Sequence, residues 1–341
     1  MKKLISMMLC GALVLALAGC AGTTVVVGNC TCPPEAHEPA TEAPAAPAAG
    51  GLKTGLAIVP SLSKSTAATA DAEGKAEFDV TVVAVTVDDS GVIHNCVIDS
   101  VGASSAFSAE TGTVEVKSKN EKGFDYGMKK ASGIGKEWFE QAAGLAAFAE
   151  GKTMEQVKAG ITNGYASDVD LATSATVYLG GYVGAMEAAA ANAKDLGAAS
   201  GDQLKLAINA SVTVSEGKIQ LDLDAAAVSL DGQTVTSATI DSLQAPVTFD
   251  ETGAITSSLD APRTKNQLGF DYGMVAYKAS GIGKEWFEQA EAFCAYITGK
   301  TLTEVAGIAV DESAKTTDVD LAASCTIAIG GFQSLIAKAA N

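Results

Sequence analysis

The sequence predicts an α+β fold with two tandem homologous domains, each an antiparallel sheet followed by helices. Thirteen consecutive residues, Lys130–Ala142, recur unchanged as Lys278–Ala290, and a second block, Asp168–Ala172, recurs as Asp318–Ala322. Blocks that recur in the same order along a chain indicate a repeated structural unit. In each copy β-branched segments come first and segments with helical periodicity follow, which is typical of α+β proteins.

Residues 1–19 have the features of a lipoprotein signal peptide. Lys2 and Lys3 precede an apolar core, Leu9–Leu17, that is too short to span a bilayer. The Leu-Ala-Gly-Cys sequence that ends at Cys20 resembles a bacterial lipobox, in which this cysteine receives a diacylglycerol group and becomes the new N-terminus. The expected location is therefore the extracytoplasmic face of the cell membrane, held by lipid. The alternative is an ordinary secretory signal followed by an incidental cysteine.

Residues 20–52 are expected to be a tether behind the lipid anchor. Their mixture of proline, alanine, threonine and glutamate cannot bury a core and favours extended chain. Cys30 and Cys32 lie within it, separated by one residue, which is poor spacing for a metal site and strained for a disulfide. We interpret both as free or incidentally oxidised thiols.

Charge and length limit the possible partners and the number of domains. Loss of residues 1–19 removes two lysines and no acidic residue, so the net charge moves from −17 to −19. Such an acidic protein does not hold nucleic acid and is repelled by anionic lipid. The remaining length of roughly 290 residues suits two domains of ordinary size. We place them at residues 53–198 and 199–341, the first and second halves.

The strand predictions rest on β-branched segments. Glu77–Asp88 and Val92–Asp99, joined by Asp89–Gly91, predict an antiparallel hairpin. Val114–Lys117 is a further candidate strand. The second half repeats this pattern more loosely at Glu216–Lys218, Val228–Gly232 and Ile240–Ser242.

Helical periodicity follows the strands. Glu137–Glu150 predicts a helix that ends at Gly151, and a helical position for Trp138 and its counterpart Trp286 favours a core role over stacking on a ligand. Thr153 and Thr301 each open a short second helix. The last helix is expected directly after the repeated acidic block, with Thr173–Thr176 and Ala323–Thr326 in its N-terminal region.

The residues give little support to hydrolytic or acyl-transfer catalysis. The chain has two histidines, His37 and His94, and neither recurs in the other half. No nucleophile elbow, phosphate-binding loop or zinc motif is present, so we assign no catalytic and no metal-binding residue. The other cysteines also lack repeated partners and are interpreted as packing residues. These are Cys96, Cys294 and Cys325, where the other half has Ala238, Ala146 and Ala175.

Two short patterns resemble the flavinylated FMN-binding domain family. Asp170–Thr176 reads Asp-x-x-Thr-Ser-Ala-Thr, close to the family motif Asp-x-x-Ser/Thr-Gly-Ala-Thr, and Asp320–Thr326 follows it more loosely. In that family a flavin transferase links the last threonine to the phosphate of FMN, with FAD as donor. The resemblance implies attachment at Thr176 and Thr326, with acidic positions at Asp170 and Asp320 and the motif glycine replaced by Ser174 and Ser324. It also implies that Gly133, Gly135, Gly281 and Gly283, in Ser-Gly-Ile-Gly loops, lie near the flavin ring.

The resemblance implies the function as well as the cofactor. The layout is similar to the two-repeat flavinylated lipoproteins of Gram-positive extracellular electron transfer, which relay electrons from a membrane donor to extracellular acceptors or reductases. A residue beside the acceptor threonine that is bulkier than in the family motif, such as Cys325 in place of alanine, is expected to impede the transferase. The effect is expected to be larger in the second half, where Ala323 also replaces the motif serine or threonine. Lys136 and Lys284 either face the cofactor or are surface charges. The alternatives are a cofactor-free surface lipoprotein that binds a ligand or partner, and a flavin reductase with its own substrate pocket.

Overall fold

The computed structural model describes residues 51–339. It has the predicted α+β composition, and the paired strands of its sheets are antiparallel. The predicted signal peptide, the predicted lipidation residue Cys20 and nearly all of the predicted tether, with Cys30 and Cys32, lie outside the described residues. The strands are β1 (Leu52–Ser61), β2 (Lys75–Val87), β3 (Ile93–Ala106), β4 (Gly112–Glu115), β5 (Ile161–Thr162), β6 (Tyr165–Ala166), β7 (Lys194–Ala198), β8 (Gln203–Ser215), β9 (Lys218–Asp231) and β10 (Thr234–Thr248).

The helices are grouped in the same order in each half, after the long strands. The segments Gly123–Tyr126, Met128–Lys130 and Gly269–Tyr272 are short 3₁₀ turns. The α-helices are α1 (Lys119–Lys122), α2 (Trp138–Ala149), α3 (Met154–Ala159), α4 (Val169–Ala172), α5 (Gly180–Ala191), α6 (Lys265–Leu268), α7 (Trp286–Ile297), α8 (Leu302–Ala306), α9 (Val319–Ala322) and α10 (Gly330–Ala339). No helix in the described range is long and apolar enough to cross a membrane.

Two four-stranded antiparallel sheets form the centre of the fold. The first has the order β3-β2-β1-β7 and the second β10-β9-β8-β4, so a strand from the first half completes the sheet of the second. The predicted hairpin is confirmed, because β2 and β3 pair antiparallel with Val85 opposite Cys96. The candidate strand at Val114–Lys117 overlaps β4, which pairs with β8, with Thr113 opposite Thr213.

Successive side chains of the central strands alternate between the core that separates the two sheets and the core beneath the helices. On β2, Phe78, Val80 and Val82 face an apolar core shared with the second sheet, whereas Val83 and Val85 face α2 and α5. Successive strand residues point to opposite faces, so a strand buried on both faces has a continuous apolar run. β9 repeats this arrangement, and α7 and α10 cover the outer face of the second sheet. The layers are therefore helices, sheet, sheet, helices.

Contacts between the halves reinforce this shared core. The rings of Phe107 and Phe249 stack with centroids 3.9 Å apart, and the hydroxyls of Thr54 and Ser237 lie 2.6 Å apart. On the first sheet, α5 packs so closely that a Cβ at Gly55 would overlap the carbonyl oxygen of Ala189. The described residues belong to one compact unit, in which the two halves share the apolar core between the sheets.

The three described cysteines are buried and unpaired, in agreement with their interpretation as packing residues. Cys96 and Cys294 are each 6% exposed and Cys325 is fully enclosed. Burial raises the pKa of the Cys294 thiol to about 12 and that of Cys325 to about 11. A thiol held neutral in this way is a poor nucleophile and a poor metal ligand.

Phe78→Ala should destabilise both halves together. Phe78 is 1% exposed and lies in the core between the two sheets, so loss of its ring should lower the free energy of unfolding by about 3–5 kcal/mol. The measurement is urea unfolding followed by circular dichroism and by the fluorescence of single-tryptophan variants that keep Trp138 or Trp286.

The matched control is Phe124→Ala. Phe124 is 67% exposed and its ring meets only the edge of Phe139, at 5.2 Å between centroids, so the expected loss is about 1 kcal/mol or less. Two separate unfolding transitions, with only the first half weakened by Phe78→Ala, would contradict the shared core.

Candidate functional site

The two motif threonines lie in irregular segments before the last helix of each half. We name residues 173–179 and 323–329 the threonine segments. Thr176 is four positions before Gly180, where α5 begins, and Thr326 is four positions before Gly330, where α10 begins. The prediction that these threonines stand at a helix N-terminus is therefore wrong. The repeated acidic block forms its own short helix, α4 or α9, and stabilisation by a helix dipole does not extend this far from the first turn.

The acidic block supplies a helix cap. Asp168 accepts hydrogen bonds from the N–H groups of Asp170 and Leu171, and Asp318 accepts one from Leu321. The first aspartate of each block is therefore the N-cap of its short helix, a common role for this residue type. Asp170 and Asp320, the acidic positions of the motif, lie in the first turn of these helices and are exposed.

In the first half a buried glutamine joins the threonine segment to the glycine loop, residues 132–135. Gln141 lies in α2 and is 0% exposed. Its Oε1 accepts hydrogen bonds from the N–H of Thr176 (2.8 Å), the hydroxyl of Thr176 (3.3 Å) and the N–H of Val177 (3.2 Å). Its Nε2 donates to Ser132 Oγ (3.0 Å) and to the carbonyl of Lys136 (3.3 Å). We call this arrangement the glutamine node.

The second half repeats the glutamine node. Gln289, in α7 and 0% exposed, accepts hydrogen bonds from the N–H (2.8 Å) and the hydroxyl (3.1 Å) of Thr326. Its Nε2 donates to the carbonyl of Lys284 (2.9 Å) and to Ser280 Oγ (3.4 Å). One carboxamide therefore fixes two separate backbone segments in each half, because every polar atom of a buried amide needs a partner.

Sequence reasoning missed this glutamine. The available signal was its place in the unchanged 13-residue block, on the face of a helix that otherwise buries apolar residues such as Trp138, Ala142 and Leu145. A polar residue on such a face requires a partner. That partner, Thr176, lies 35 positions away and could not be identified from periodicity.

The glycine loops are open to solvent. Gly135 and Gly283 have φ of 64° and 67°, in the left-handed region that favours glycine. A Cβ placed at Gly133, Gly135, Gly281 or Gly283 would meet nothing within 4 Å. The surface above these loops therefore has room for a flat group.

The motif residues beside the threonines divide into two kinds. Ser174 and Ser324 are half-buried. Ala175 and Cys325 are 0% exposed and point into the cores of their halves. The sulfur of Cys325 is thus enclosed on the inner side of the segment, which removes one reason to expect that it obstructs access to Thr326.

Charged groups hold the loop that precedes each glycine loop. The buried carboxylate of Glu137 accepts hydrogen bonds from the N–H groups of Met128 (2.8 Å) and Lys129 (2.9 Å). Glu285 accepts the equivalent bonds from Met274 (2.7 Å) and Val275 (2.9 Å). These charge-assisted bonds fix where the loop begins.

A lysine lies against two aromatic rings next to each site. The Nζ of Lys119 lies 5.3 Å from the ring centroid of Tyr126 and 4.9 Å from that of Trp138. Burial lowers the pKa of Lys119. Lys265 repeats the arrangement at 5.2 Å from Tyr272 and 4.8 Å from Trp286. On the other side of the first site, Lys136 Nζ donates to the carbonyl of Thr173 at 3.3 Å.

The second half has a cleft of about 360 Å³ beside Thr326. It lies between the loop that leads into Ser280 and the threonine segment, and most of its walls are apolar or aromatic. We call it the second-half cleft. It is lined by Tyr272, Gly273, Met274, Tyr277, Ala279, Trp286 and Ile327.

Comparison of the chain with protein-family models, with curated proteins and with solved structures gives no significant match. Within residues 51–339, no group of three or more histidine, cysteine or acidic side chains is placed to hold a metal ion. The geometry shared by the two halves is therefore the basis for the function proposed below.

Gln141→Leu should release the threonine segment of the first half. The substitution removes the acceptor for Thr176 and Val177 and the donor to Ser132, so we expect a loss of about 1–3 kcal/mol in the free energy of unfolding. Hydrogen–deuterium exchange of the Thr176 and Val177 amides should accelerate, while that of Thr326 stays unchanged.

Gln244→Leu, at an exposed position on β10, is the control and should change stability by no more than about 0.5 kcal/mol. Unchanged exchange at Thr176 and Val177 would show that the glutamine does not hold the segment.

Proposed function

We propose that this protein is a lipid-anchored extracytoplasmic electron carrier that holds FMN covalently on Thr176 and Thr326. The observation that carries the proposal is the duplicated glutamine node, which ties a surface threonine to an open glycine loop in both halves. Thr176 is exposed and Thr326 is half-buried, so packing of the core does not explain why a threonine stands at either position.

The attachment site has the properties that a modifying enzyme requires. The hydroxyl of Thr176 donates to Gln141, which leaves its oxygen lone pairs free to react. In the transfer, the threonine oxygen bonds to the FMN phosphorus of FAD, the pyrophosphate bond breaks, AMP leaves and the hydroxyl proton is released. Lys136 Nζ donates to the carbonyl of Thr173, three positions before Thr176, and its positive charge would offset part of the charge of the resulting phosphodiester.

The residues around the second site also suit a flat ring. The second-half cleft adjoins Thr326 through Ile327 and is walled by Tyr272 and Trp286. When bound, a flavin supplies the one- and two-electron redox chemistry, and the protein supplies position and electrostatics. The aromatic walls would contact a bound ring and shield it from water, and Lys265 places a positive charge 5.2 Å and 4.8 Å from the ring centroids of Tyr272 and Trp286.

The expected membrane context agrees with a carrier role. A lipid on Cys20 and a proline-rich tether would let the acidic folded region reach a membrane electron donor and an extracellular acceptor or reductase. The flavin transferase would be a further partner. Covalent attachment prevents loss of the cofactor outside the cell.

A second candidate function is a cofactor-free surface lipoprotein that binds a partner protein. The observation that favours it is a pair of exposed apolar residues reproduced in both halves. Phe124 and Phe270 are 67% and 74% exposed, and Val169 and Val319 are 79% and 82% exposed. Large exposed apolar groups of this kind are typical of interaction surfaces.

Thr176→Ala and Thr326→Ala should each remove one FMN while the fold remains intact. The protein is purified from a host that contains the flavin transferase, and intact mass and visible absorbance are measured. We expect two FMN groups in the unaltered protein, one in each single variant and none in the double variant, because the hydroxyl is the only attachment atom.

Thr162→Ala is the matched control for this experiment. Thr162 is exposed and lies outside the motif, and its hydroxyl donates to that of Ser167 at 3.1 Å, so its removal should leave both flavins in place. A colourless protein with unmodified threonines would overturn the electron-carrier proposal and favour the partner-binding function.

A further inference from the structure

The two halves differ in the environment of the repeated tryptophan. In the first half, Trp138 Nε1–H donates to the hydroxyl of Tyr182 at 2.9 Å. The second half has Phe332 at the equivalent position, and its ring meets Trp286 edge-on with centroids 5.9 Å apart. Phenylalanine has no hydroxyl, and within residues 51–339 no hydrogen bond from the Trp286 indole N–H replaces the lost one.

The unpaired indole N–H is reached from outside the core. Among the described residues, Ser229 Oγ is the one fully enclosed side-chain polar atom that lacks a partner, so Trp286 Nε1 is not enclosed. Trp286 is 6% exposed overall and lines the second-half cleft. Its small accessible area therefore includes a hydrogen-bond donor next to a cleft. Buried tryptophans ordinarily pair this N–H, so a donor that no described residue pairs is available to an acceptor from outside the fold.

The walls of the cleft define what kind of molecule fits. Tyr272, Tyr277 and Trp286 present aromatic surface, and Met274 and Ile327 present apolar surface. Small-molecule sites usually measure about 300–1,000 Å³, so a cleft of about 360 Å³ lies at the small end of this range and suits one flat ring system.

The loop over the cleft also differs between the halves. Lys130 follows Met128 by two positions, whereas Lys278 follows Met274 by four, so the second half has two extra residues here. The longer loop places Tyr277, which is 84% exposed, at the rim of the cleft. Lys278 has a φ of 58°, a left-handed conformation that is uncommon for lysine.

We propose that the second-half cleft binds one flat aromatic heterocycle that accepts a hydrogen bond from Trp286, and that Tyr182 closes the equivalent position in the first half. The identification of this heterocycle as the ring of a flavin rests on the proposed function. Unmodified protein should therefore bind one equivalent of free riboflavin reversibly, although it carries two motif threonines.

The test uses protein made without the flavin transferase, titrated with riboflavin and followed by quenching of flavin fluorescence and by calorimetry. We expect one equivalent per chain. Trp286→Phe keeps an aromatic ring but removes the donor, and loss of one neutral hydrogen bond should weaken binding about three- to tenfold. Phe332→Tyr supplies an internal acceptor and should weaken binding by a similar or larger factor.

One further variant serves as the control. Tyr182→Phe makes the reciprocal change in the first half and should leave the affinity of the second-half cleft within about twofold, a difference well below one hydrogen bond.

Three results would overturn the inference. They are no riboflavin binding by folded unmodified protein, two equivalents of equal affinity, and full affinity in both Trp286→Phe and Phe332→Tyr. Circular dichroism establishes that each variant is folded, and Trp286→Phe remains informative if Phe332→Tyr does not fold. A protein that binds riboflavin in this way but carries no covalent FMN in its own cell envelope would retain the cleft assignment and lose the electron-carrier proposal.

Discussion

Burial of both faces of two stacked sheets is the constraint on which the rest of this structure depends. Each central strand must supply one apolar row for the neighbouring sheet and another for its own helices. β9 does so with Leu221, Leu223 and Ala225 on the inner side and Ala226 and Val228 on the outer side. The inner core joins the two halves. Each outer core holds the helices of one half against their own sheet, and these helices support the candidate site of that half.

This layered arrangement explains which features were predictable from the sequence. Hairpins and amphipathic helices are local, so the β2–β3 pair, the helix that begins at Trp138 and the caps at Thr153 and Thr301 follow from residue patterns. Contacts between distant segments leave no such pattern. β1, which has Pro60 near its end, was not anticipated, and neither was the pairing of β4 with the sheet of the other half.

The candidate site shows the same division. The motif threonines, the motif serines and the glycine loops can be recognised in the sequence because they recur. The sequence pattern, however, predicts that a helix N-terminus holds the threonines. The structure instead uses the amide of Gln141 or Gln289, whose two ends bind backbone and hydroxyl groups on different segments. A glutamine suits this role better than a helix dipole, because a carboxamide offers both a donor and an acceptor at fixed geometry.

The two candidate sites share the residues that hold their backbone segments in place but differ in the residues around them. The glutamine node and the buried glutamate are the same in both halves, since changing either would leave buried polar groups unpaired. The positions that differ are Tyr182 against Phe332, which contact the repeated tryptophan, and the longer loop that contains Tyr277 and lines the second-half cleft. The two halves therefore share one support and differ in what surrounds it. Under the proposed function, these differences in hydrogen bonding and water exclusion would give two identical flavins different redox properties.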